Sequence, residues 1–233
     1  MNRKLKILSL AARWLFVLCV SFVLLTASIG CVANSLWFYE YEFEKHGVGA
    51  TTGLAEPELE KAARGMTSYY NSGEEHINIT VEKDGKSFAL FNQREIVHMK
   101  DVKGLIRLDY WVLLGTFIYT LGYALTCLLW RRRKYWQNLA QGTVWGCGIT
   151  LAIMLALGVG TLLGFDRLFL QFHLISFAND FWLLDPTRDY LIMLFPRGFW
   201  YEATLLCALG TAVAAVVLGG VGGGYLYFTR KKT

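Results

Sequence analysis

Two of the four histidines in this 233-residue sequence have neighbours that suit proton transfer. His98 lies between Glu95 and Asp101, three residues from each, and His173 precedes Asn179 within an apolar stretch. Imidazole gains and loses a proton near neutral pH, and a nearby carboxylate can fix its tautomer. The pattern predicts an acid–base site assembled from two separate segments, whereas the other two histidines, His46 and His76, are interpreted as solvated surface residues.

Metal binding is an alternative interpretation of the same residues. The spacing Glu95-x-x-His98 occurs in carboxylate-bridged metal sites, but those sites need further Glu and His ligands from other helices. A single metal ion bound with the help of His173 stays open, although we expect no metal and no cofactor. A Ser-His-Asp triad has little support, because the sequence contains no G-x-S-x-G nucleophile elbow.

The elements that must position the histidines are membrane helices. The sequence is 55% hydrophobic and 15% aromatic, more apolar than ordinary soluble domains. A bilayer core of about 30 Å needs roughly 20 apolar residues per helix, and four stretches qualify. They run from about Leu10 to Leu36, Tyr110 to Trp130, Val144 to Gly164 and Ala203 to Phe228. We therefore predict a mainly α, integral membrane four-helix bundle.

Charge predicts how this bundle is oriented. The excess of Lys and Arg in short segments beside the spans is typical of the cytoplasmic side, so both termini are expected to be cytoplasmic and the functional site to lie on the outer face. The basic residues of these segments are Arg3, Lys4, Lys6, Arg13, Arg131, Arg132, Arg133, Lys134, Arg230, Lys231 and Lys232. The net charge of +5 thus reflects topology, and no nucleic acid is expected as a partner.

The segments between the spans predict the remaining organisation. A helix is expected over Glu56 to Tyr70, a hairpin over Ile77 to Phe91 that turns at Asp84-Gly85, and a helix that begins with the capping box Asn92-x-x-Glu95. An apolar segment over Phe165 to Phe177 is expected to lie on the membrane surface or to be re-entrant. The predicted division is 1–36 (N-terminus and first span), 37–109 (a small α+β extracytoplasmic cap), 110–164 (second and third spans with a short basic cytoplasmic loop), 165–202 (second outer segment) and 203–233 (fourth span and basic tail).

Two sequence blocks resemble a known family. FNQREIVHMKDV, from Phe91 to Val102, and FHLISFANDFWLLDP, from Phe172 to Pro186, with LIMLFP ending at Pro196, are similar to the signature blocks of the bacterial lipoprotein intramolecular transacylase family, Lit. The four spans with an outer cap match the family's pattern along nearly the whole chain. Arg197 departs from it, because an acid is expected after the final Pro.

The resemblance implies an acyl transfer on a lipoprotein. The sn-2 acyl chain of a diacylglyceryl-modified N-terminal cysteine would move to the α-amine of that cysteine and leave a lyso-form lipoprotein. His98 and His173 would be base and acid, in an order that the sequence leaves open. Asp101 or Glu95 would orient His98, although Glu95 is equally well explained as a capping residue. The supporting or substrate-binding candidates are Arg94, Glu95, Asp101, Asn179, Trp182 and Asp185.

Two rival functions stay open at this point. One is a different lipid hydrolase or acyltransferase at the outer leaflet, either metal-dependent or assisted by the histidines. The other is a membrane scaffold without enzymatic activity. A transporter is not favoured, because the second, third and fourth predicted spans contain no charged residue.

Overall fold

The computed structural model describes residues 3–130 and 133–230, and it is dominated by four long helices. Each of the four contains an apolar window long enough to cross a membrane, which confirms the predicted four-span membrane fold. They are α1 (Arg3–Ala33), α5 (Gln93–Leu129), α6 (Arg133–Ser176) and α8 (Arg197–Arg230). The predicted cytoplasmic residues Arg131, Arg132, Lys231 and Lys232 lie outside the described residues.

Shorter elements occupy the segments between the long helices. They are α2 (Leu36–Lys45), α3 (Val48–Thr52), α4 (Glu56–Asn71), β1 (Thr80–Lys83), β2 (Lys86–Ala89) and α7 (Tyr190–Leu194). Helix α4 confirms the helix predicted there. The sequence reasoning missed α2 and α3, because the apolar residues of α2 follow directly on those of the first span. Ser35 separates the two helices, and its hydroxyl accepts a hydrogen bond from the Phe38 amide.

Helix α6 changes direction at Gly164, whose backbone angles are not helical. The third span was expected to end at this residue. The apolar stretch that follows, predicted to lie on the membrane surface or to be re-entrant, is helical from Phe165 to Ser176. The second predicted signature block therefore begins on a helix, and His173 occupies its last turn.

The chain divides into two compact units. The first is built from the described parts of Met1–Ile29, Asp109–Val159 and Cys207–Thr233. Small residues allow close helix packing within it. A Cβ on Gly146 would lie 2.8 Å from the Val17 carbonyl oxygen, and the Ser21 hydroxyl donates a hydrogen bond to the Gly146 carbonyl at 3.1 Å.

The second unit comprises Gly30–Leu108 and Gly160–Leu206. Aromatic side chains from α2, α7 and α8 fill much of its core, and the Phe195 and Phe199 rings meet edge-on with centroids 4.7 Å apart. The hairpin turns at Asp84 and Gly85, both with positive φ, as the two-residue turn predicted. Its first strand begins at Thr80, three residues later than predicted.

Candidate active site

His98 and His173 lie together inside the second unit. Helix α5 carries His98 in its second turn and α6 carries His173 near its end. Their ring centroids are 6.2 Å apart with an angle of 29° between the ring planes. Both residues are buried, with 7% of His98 and 8% of His173 exposed. The sequence predicted that both would contribute to one site, and the fold brings them within reach of a single small substrate group.

Aromatic rings surround the two imidazoles. The Phe177 ring packs edge-on against His98 at 4.9 Å, and the rings of Phe169 and Trp182 lie 4.4 and 4.9 Å from that of His173. Trp182 was predicted as a site residue, whereas Phe169 and Phe177 were not. Such rings exclude water from the imidazoles, which strengthens polar interactions formed there with a substrate.

Hydrogen bonding distinguishes the two histidines. Nδ1 of His173 donates to the carbonyl oxygen of Phe169 at 2.7 Å. A carbonyl oxygen can only accept, so Nδ1 carries a proton, and in the neutral ring Nε2 has a free lone pair. Nδ1 of His98 is buried and has no hydrogen-bond partner among the described residues. A buried polar atom without a partner is rare and is typical of functional sites.

Asp101 and Asn179 contact each other. The Asn179 side-chain amide donates to the Asp101 carboxylate at 2.8 Å, while the Asn179 carbonyl oxygen accepts from the Phe181 backbone amide. No hydrogen bond joins Asp101 to Nδ1 of His98 among the described residues. Asp101 therefore holds the segment after α6 against α5, and any influence on His98 acts through charge or through this link.

Arg94 lies one helical turn before His98 on α5. One terminal nitrogen of its guanidinium donates to the Asp180 carbonyl oxygen, and the group lies 5.8 Å from the centre of the Phe181 ring. Its Nε is buried and has no hydrogen-bond partner among the described residues. Arg94 thus binds the same segment as Asp101, one helical turn before His98.

Glu95 forms the predicted capping box and also a hydrogen bond to α7. Its carboxylate accepts from the Asn92 backbone amide at 2.7 Å, and the Asn92 side chain accepts from the Arg94 and Glu95 amides. The other Glu95 oxygen accepts from the Leu191 amide at 2.6 Å. Only 1% of Glu95 is exposed. Glu95 therefore joins the start of α5 to α7 and does not reach an imidazole nitrogen through a hydrogen bond.

Asp189 is a structural residue that the sequence reasoning missed. It is 2% exposed, and its two oxygens accept from the Asn92 side-chain amide at 2.9 Å and from the Asp185 backbone amide at 2.7 Å. The Asp185 carboxylate, a predicted site residue, accepts from the hydroxyl and amide of Thr187, which hold its pKa below the usual range. Asp185 is thus bonded within its own loop.

His46 corrects a sequence-based interpretation. It was expected to be a solvated surface residue, but its Nε2 lies 3.1 Å from a Glu42 oxygen and 3.5 Å from a Glu202 oxygen. These three residues are the one group of convergent metal-ligand side chains among the described residues, with donor atoms within 4.8 Å of one another. Lys45 also pairs with Glu202, so the chain supplies the cation that balances this cluster.

Comparison with known proteins identifies the family. A family model described as lipoprotein intramolecular transacylase Lit matches residues 14–200, a range that includes both buried histidines. The chain belongs to the Lit family. It is therefore an acyltransferase and a multi-pass membrane protein, and the two blocks that resembled Lit in the sequence lie within the matched range.

Solved structures of similar fold support this membership. The membrane integral lipoprotein intramolecular transacylase Lit from Bacillus cereus matches with a TM-score of 0.77 and 17% identity, over 97% of this chain and 98% of that one. Two further structures of the Bacillus cereus protein, in which one histidine is replaced by Arg or by Ala, match with TM-scores of 0.76 and 0.73, at 15% and 16% identity. They cover 98% of this Lit-family chain and 96% and 97% of theirs.

A relative described only as an uncharacterized protein occurs in Aquifex aeolicus (strain VF5). It is 26% identical over 181 residues, which are 76% of this chain and 78% of the relative. The likeness thus extends over most of both chains.

Proposed function

We propose that this Lit-family protein moves the sn-2 acyl chain of a diacylglyceryl-modified N-terminal cysteine to the α-amine of the same cysteine. The observation that carries the proposal is the pair of buried histidines, 6.2 Å apart and enclosed by aromatic rings, in a chain of the transacylase family. The substrate brings its own nucleophile, so the protein needs to supply proton transfer, orientation and exclusion of water.

The reaction moves one proton from nitrogen to oxygen. An α-amine in water has a pKa of about 7.7–8.0, and it attacks in its neutral form. A C–N bond forms at the ester carbonyl, the bond from that carbon to the sn-2 glyceryl oxygen breaks, and this oxygen takes up a proton. The products are an N-acyl group and a free hydroxyl on the glyceryl moiety, so atoms and charges balance without a cofactor.

We assign the base to Nε2 of His173. Its Nδ1 proton is engaged by the Phe169 carbonyl, which supports a lone pair on Nε2 that can accept the amine proton. The proton taken up by His173 passes to one nitrogen of His98 while the other nitrogen of His98 gives its proton to the departing glyceryl oxygen, so both rings end neutral. The unpartnered Nδ1 of His98 supports this role, because a substrate oxygen bound there would satisfy it.

The remaining predicted residues act around this pair. Arg94, Asn179 and Trp182 are proposed to stabilise the tetrahedral oxyanion or to shape the space around it. Asp101 is proposed as a positioning residue, since it holds Asn179 on α5. Glu95 and Asp185 are proposed to position the second outer segment. We also propose that both termini are cytoplasmic and that the histidines lie on the outer face, as the distribution of Lys and Arg supports.

A synthetic lipopeptide tests the proposal directly. The sn-1 and sn-2 positions of this lipopeptide carry acyl chains of different length. The lipopeptide is incubated with the purified protein in proteoliposomes. Mass spectrometry is expected to find the sn-2 chain on the α-amine. When this lipopeptide is mixed with an equal amount of an isotopically labelled copy, no crossed product is expected, that is, no molecule that carries an acyl chain taken from another molecule. Release of free fatty acid, transfer of the sn-1 chain or crossed products would each contradict the proposal.

Expression in cells provides the second test. The protein is produced in a bacterium that lacks the aminoacyl-transferring lipoprotein enzyme, and lipoprotein N-termini are read by mass spectrometry. Lyso-form lipoproteins with an N-acyl group are expected. If only the diacylglyceryl form with a free amine is found while the protein is in the membrane, the proposed function is wrong. Loss of in vitro activity on chelation, restored by one metal, would favour the metal-dependent rival.

A further inference from the structure

A pocket lined by polar residues opens at the start of α5, and one of these residues, Arg188, has no role in the proposed reaction. Its volume is about 350 Å³ and it is lined by Asn92, Arg94, Arg188 and Asp189. All four lining side chains end in polar groups, which an acyl chain would leave unpaired, although apolar atoms supply most of the exposed lining surface. The pocket fits a polar and hydrogen-bonding occupant.

The charges around the pocket favour an occupant with oxygen acceptors. Both Asp189 oxygens already accept hydrogen bonds, from Asn92 and from the Asp185 amide. Nε of Arg188 forms ion pairs with Asp185 and Asp189 at 3.6 Å, a distance longer than a hydrogen bond, and the Arg188 side chain is 71% exposed. The Arg188 guanidinium therefore keeps donors for a ligand, and acidic groups or backbone carbonyls match them.

The pocket lies at a fixed distance from the imidazoles. Arg94 lines it and precedes His98 by one turn of α5, so the two residues are about 6 Å apart along the helix axis. An extended polypeptide advances about 3.3 Å per residue. A chain that starts at a substrate group beside His98 and runs toward the beginning of α5 therefore reaches the pocket after about two residues.

The direction of α5 separates this pocket from the acyl chains. The apolar part of α5 follows Asp109 and continues to Leu129, whereas the pocket is at the opposite, polar end of the helix. The exposed side chains of α6 nearest His173 are apolar and include Phe172, Leu174 and Ile175. Hydrocarbon therefore contacts the histidine region from these apolar surfaces, and the pocket stays free for the polar part of the substrate.

We propose that this pocket binds the first polypeptide residues that follow the modified cysteine, and that Arg188 makes it prefer acidic side chains there. The inference rests on the transacylase function proposed above, since an N-terminal lipoprotein substrate has its reacting amine and its polypeptide on the same carbon atom, Cα of the modified cysteine. The cysteine carbonyl lies two bonds from the amine nitrogen, so the polypeptide must leave the histidine pair close to the point of reaction.

Two matched lipopeptides test this subsite. They share the diacylglyceryl cysteine and differ only in the next residues, which are Ser-Asp-Glu in one and Ser-Lys-Lys in the other. The KM of the wild-type protein is expected to be about two- to fivefold lower for the acidic peptide, a size typical of exposed ion pairs, with similar kcat. The difference should shrink as salt is raised, because exposed charges are screened.

Charge reversal at Arg188 gives the sharper comparison. Arg188→Glu is expected to reverse the order of the two KM values, Arg188→Gln to make them equal, and Arg188→Lys to keep the wild-type order. Lys86→Glu, the same charge change on the exposed end of β2, is the matched control and is expected to keep the wild-type preference. If Arg188→Glu does not fold, because its new carboxylate lies beside that of Asp185, Arg188→Gln alone tests the preference.

The outcomes separate the subsite from the proposed function. Equal KM values for both peptides in the wild-type protein, or an unchanged ratio in Arg188→Glu and Arg188→Gln, would overturn the subsite while acyl transfer itself is still observed. If neither lipopeptide is converted although the protein is folded, the transacylase function and the subsite fail together. A preference for the basic peptide in the wild-type protein would also refute the role of Arg188.

Discussion

The second unit contains two histidine clusters whose environments differ sharply. His46 has carboxylate oxygens of Glu42 and Glu202 within 3.5 Å, and Lys45 balances their charge. His98 and His173 lie among aromatic rings, and Nδ1 of His98 has no hydrogen-bond partner among the described residues. One cluster satisfies its polar groups within the protein, whereas the other leaves a buried nitrogen for something else to bind.

This difference indicates that the His46 cluster contributes to stability and the pair His98 and His173 to catalysis. A histidine paired with carboxylates stabilises the fold but is already committed to its partners. A buried imidazole with an unpartnered nitrogen costs stability, and such a cost is typical of sites that complete their hydrogen bonds with a substrate. We therefore expect substitutions in the first cluster to change unfolding and substitutions at the histidine pair to change catalysis.

The largest effect is expected from replacing either buried histidine. His98→Ala and His173→Ala should each lower the rate of acyl transfer by about 10²- to 10⁴-fold, the usual range for a general acid or base. The mixed-chain lipopeptide assay measures this rate. The unfolding temperature in detergent is also expected to fall, because each buried ring leaves a cavity among aromatic side chains, so rates are compared on folded protein.

His46→Ala is the matched control for that experiment. It should leave the rate within about threefold of wild type while lowering the free energy of unfolding by about 1–3 kcal/mol, because the buried Glu42 carboxylate loses a hydrogen-bond partner. A rate lost in His46→Ala but kept in His98→Ala would reverse the assignment of the two clusters.

Glu95→Ala should affect both properties at once. It removes the carboxylate that accepts from the Asn92 and Leu191 amides, so a partly buried donor and a buried donor lose their partner. We expect about 2–4 kcal/mol of destabilisation and a lower kcat with little change in KM, since α7 no longer fixes the start of α5. Thermal unfolding and steady-state kinetics measure the two effects. Unchanged kcat in folded Glu95→Ala would show that Glu95 is a capping residue only.

Gly198→Ala should perturb the His46 cluster alone. A Cβ on Gly198 would lie 2.2 Å from the His46 Cε1 atom and under 3 Å from both ring nitrogens, so the imidazole must move. The expected destabilisation is about 1–3 kcal/mol. The double variant Gly198→Ala/His46→Ala should recover part of this loss, because the smaller side chain leaves room. Absence of any recovery would mean that the clash lies elsewhere.

The smallest effect is expected from Glu42→Gln and depends on pH. Burial raises the pKa of the Glu42 carboxyl, and Glu202 raises it further. The folded protein therefore holds this proton more tightly than the unfolded chain, so the contribution to stability is full below the unfolded pKa and is lost as pH rises through the folded value. Glu42→Gln should flatten this part of the pH profile of the unfolding temperature. An unchanged profile would show that Glu42 does not titrate there.

Several features of the fold were predictable because they depend on local sequence. Apolar stretches of sufficient length predict the four long helices, and Asp84-Gly85 predicts the hairpin turn. Asn92 and Glu95 predict the start of α5, since a capping box needs only neighbouring residues. Helix α2 was missed, because the apolar residues that begin it at Leu36 extend the hydrophobic signal of the first span.

The site was predictable only in part. His98 and His173 could be proposed from their neighbours and from the resemblance to Lit. The contact between Asn92 and Asp189 could not, because hydrogen bonds between distant parts of a chain leave no periodic signal in either part. The pairing of His46 with Glu42 was accessible as a spacing of four residues on a helix, but Glu202 was not.

The sequence by itself showed that the protein lies in a membrane and which types of side chain could take part in a reaction. Hydrophobic length and composition are sums over neighbouring residues, so they are readable without coordinates. The tertiary structure decided which histidine kept an unpartnered nitrogen and which one was paired with carboxylates. Those properties depend on side chains from separate helices meeting within a few ångströms, and only the packed chain specifies such distances.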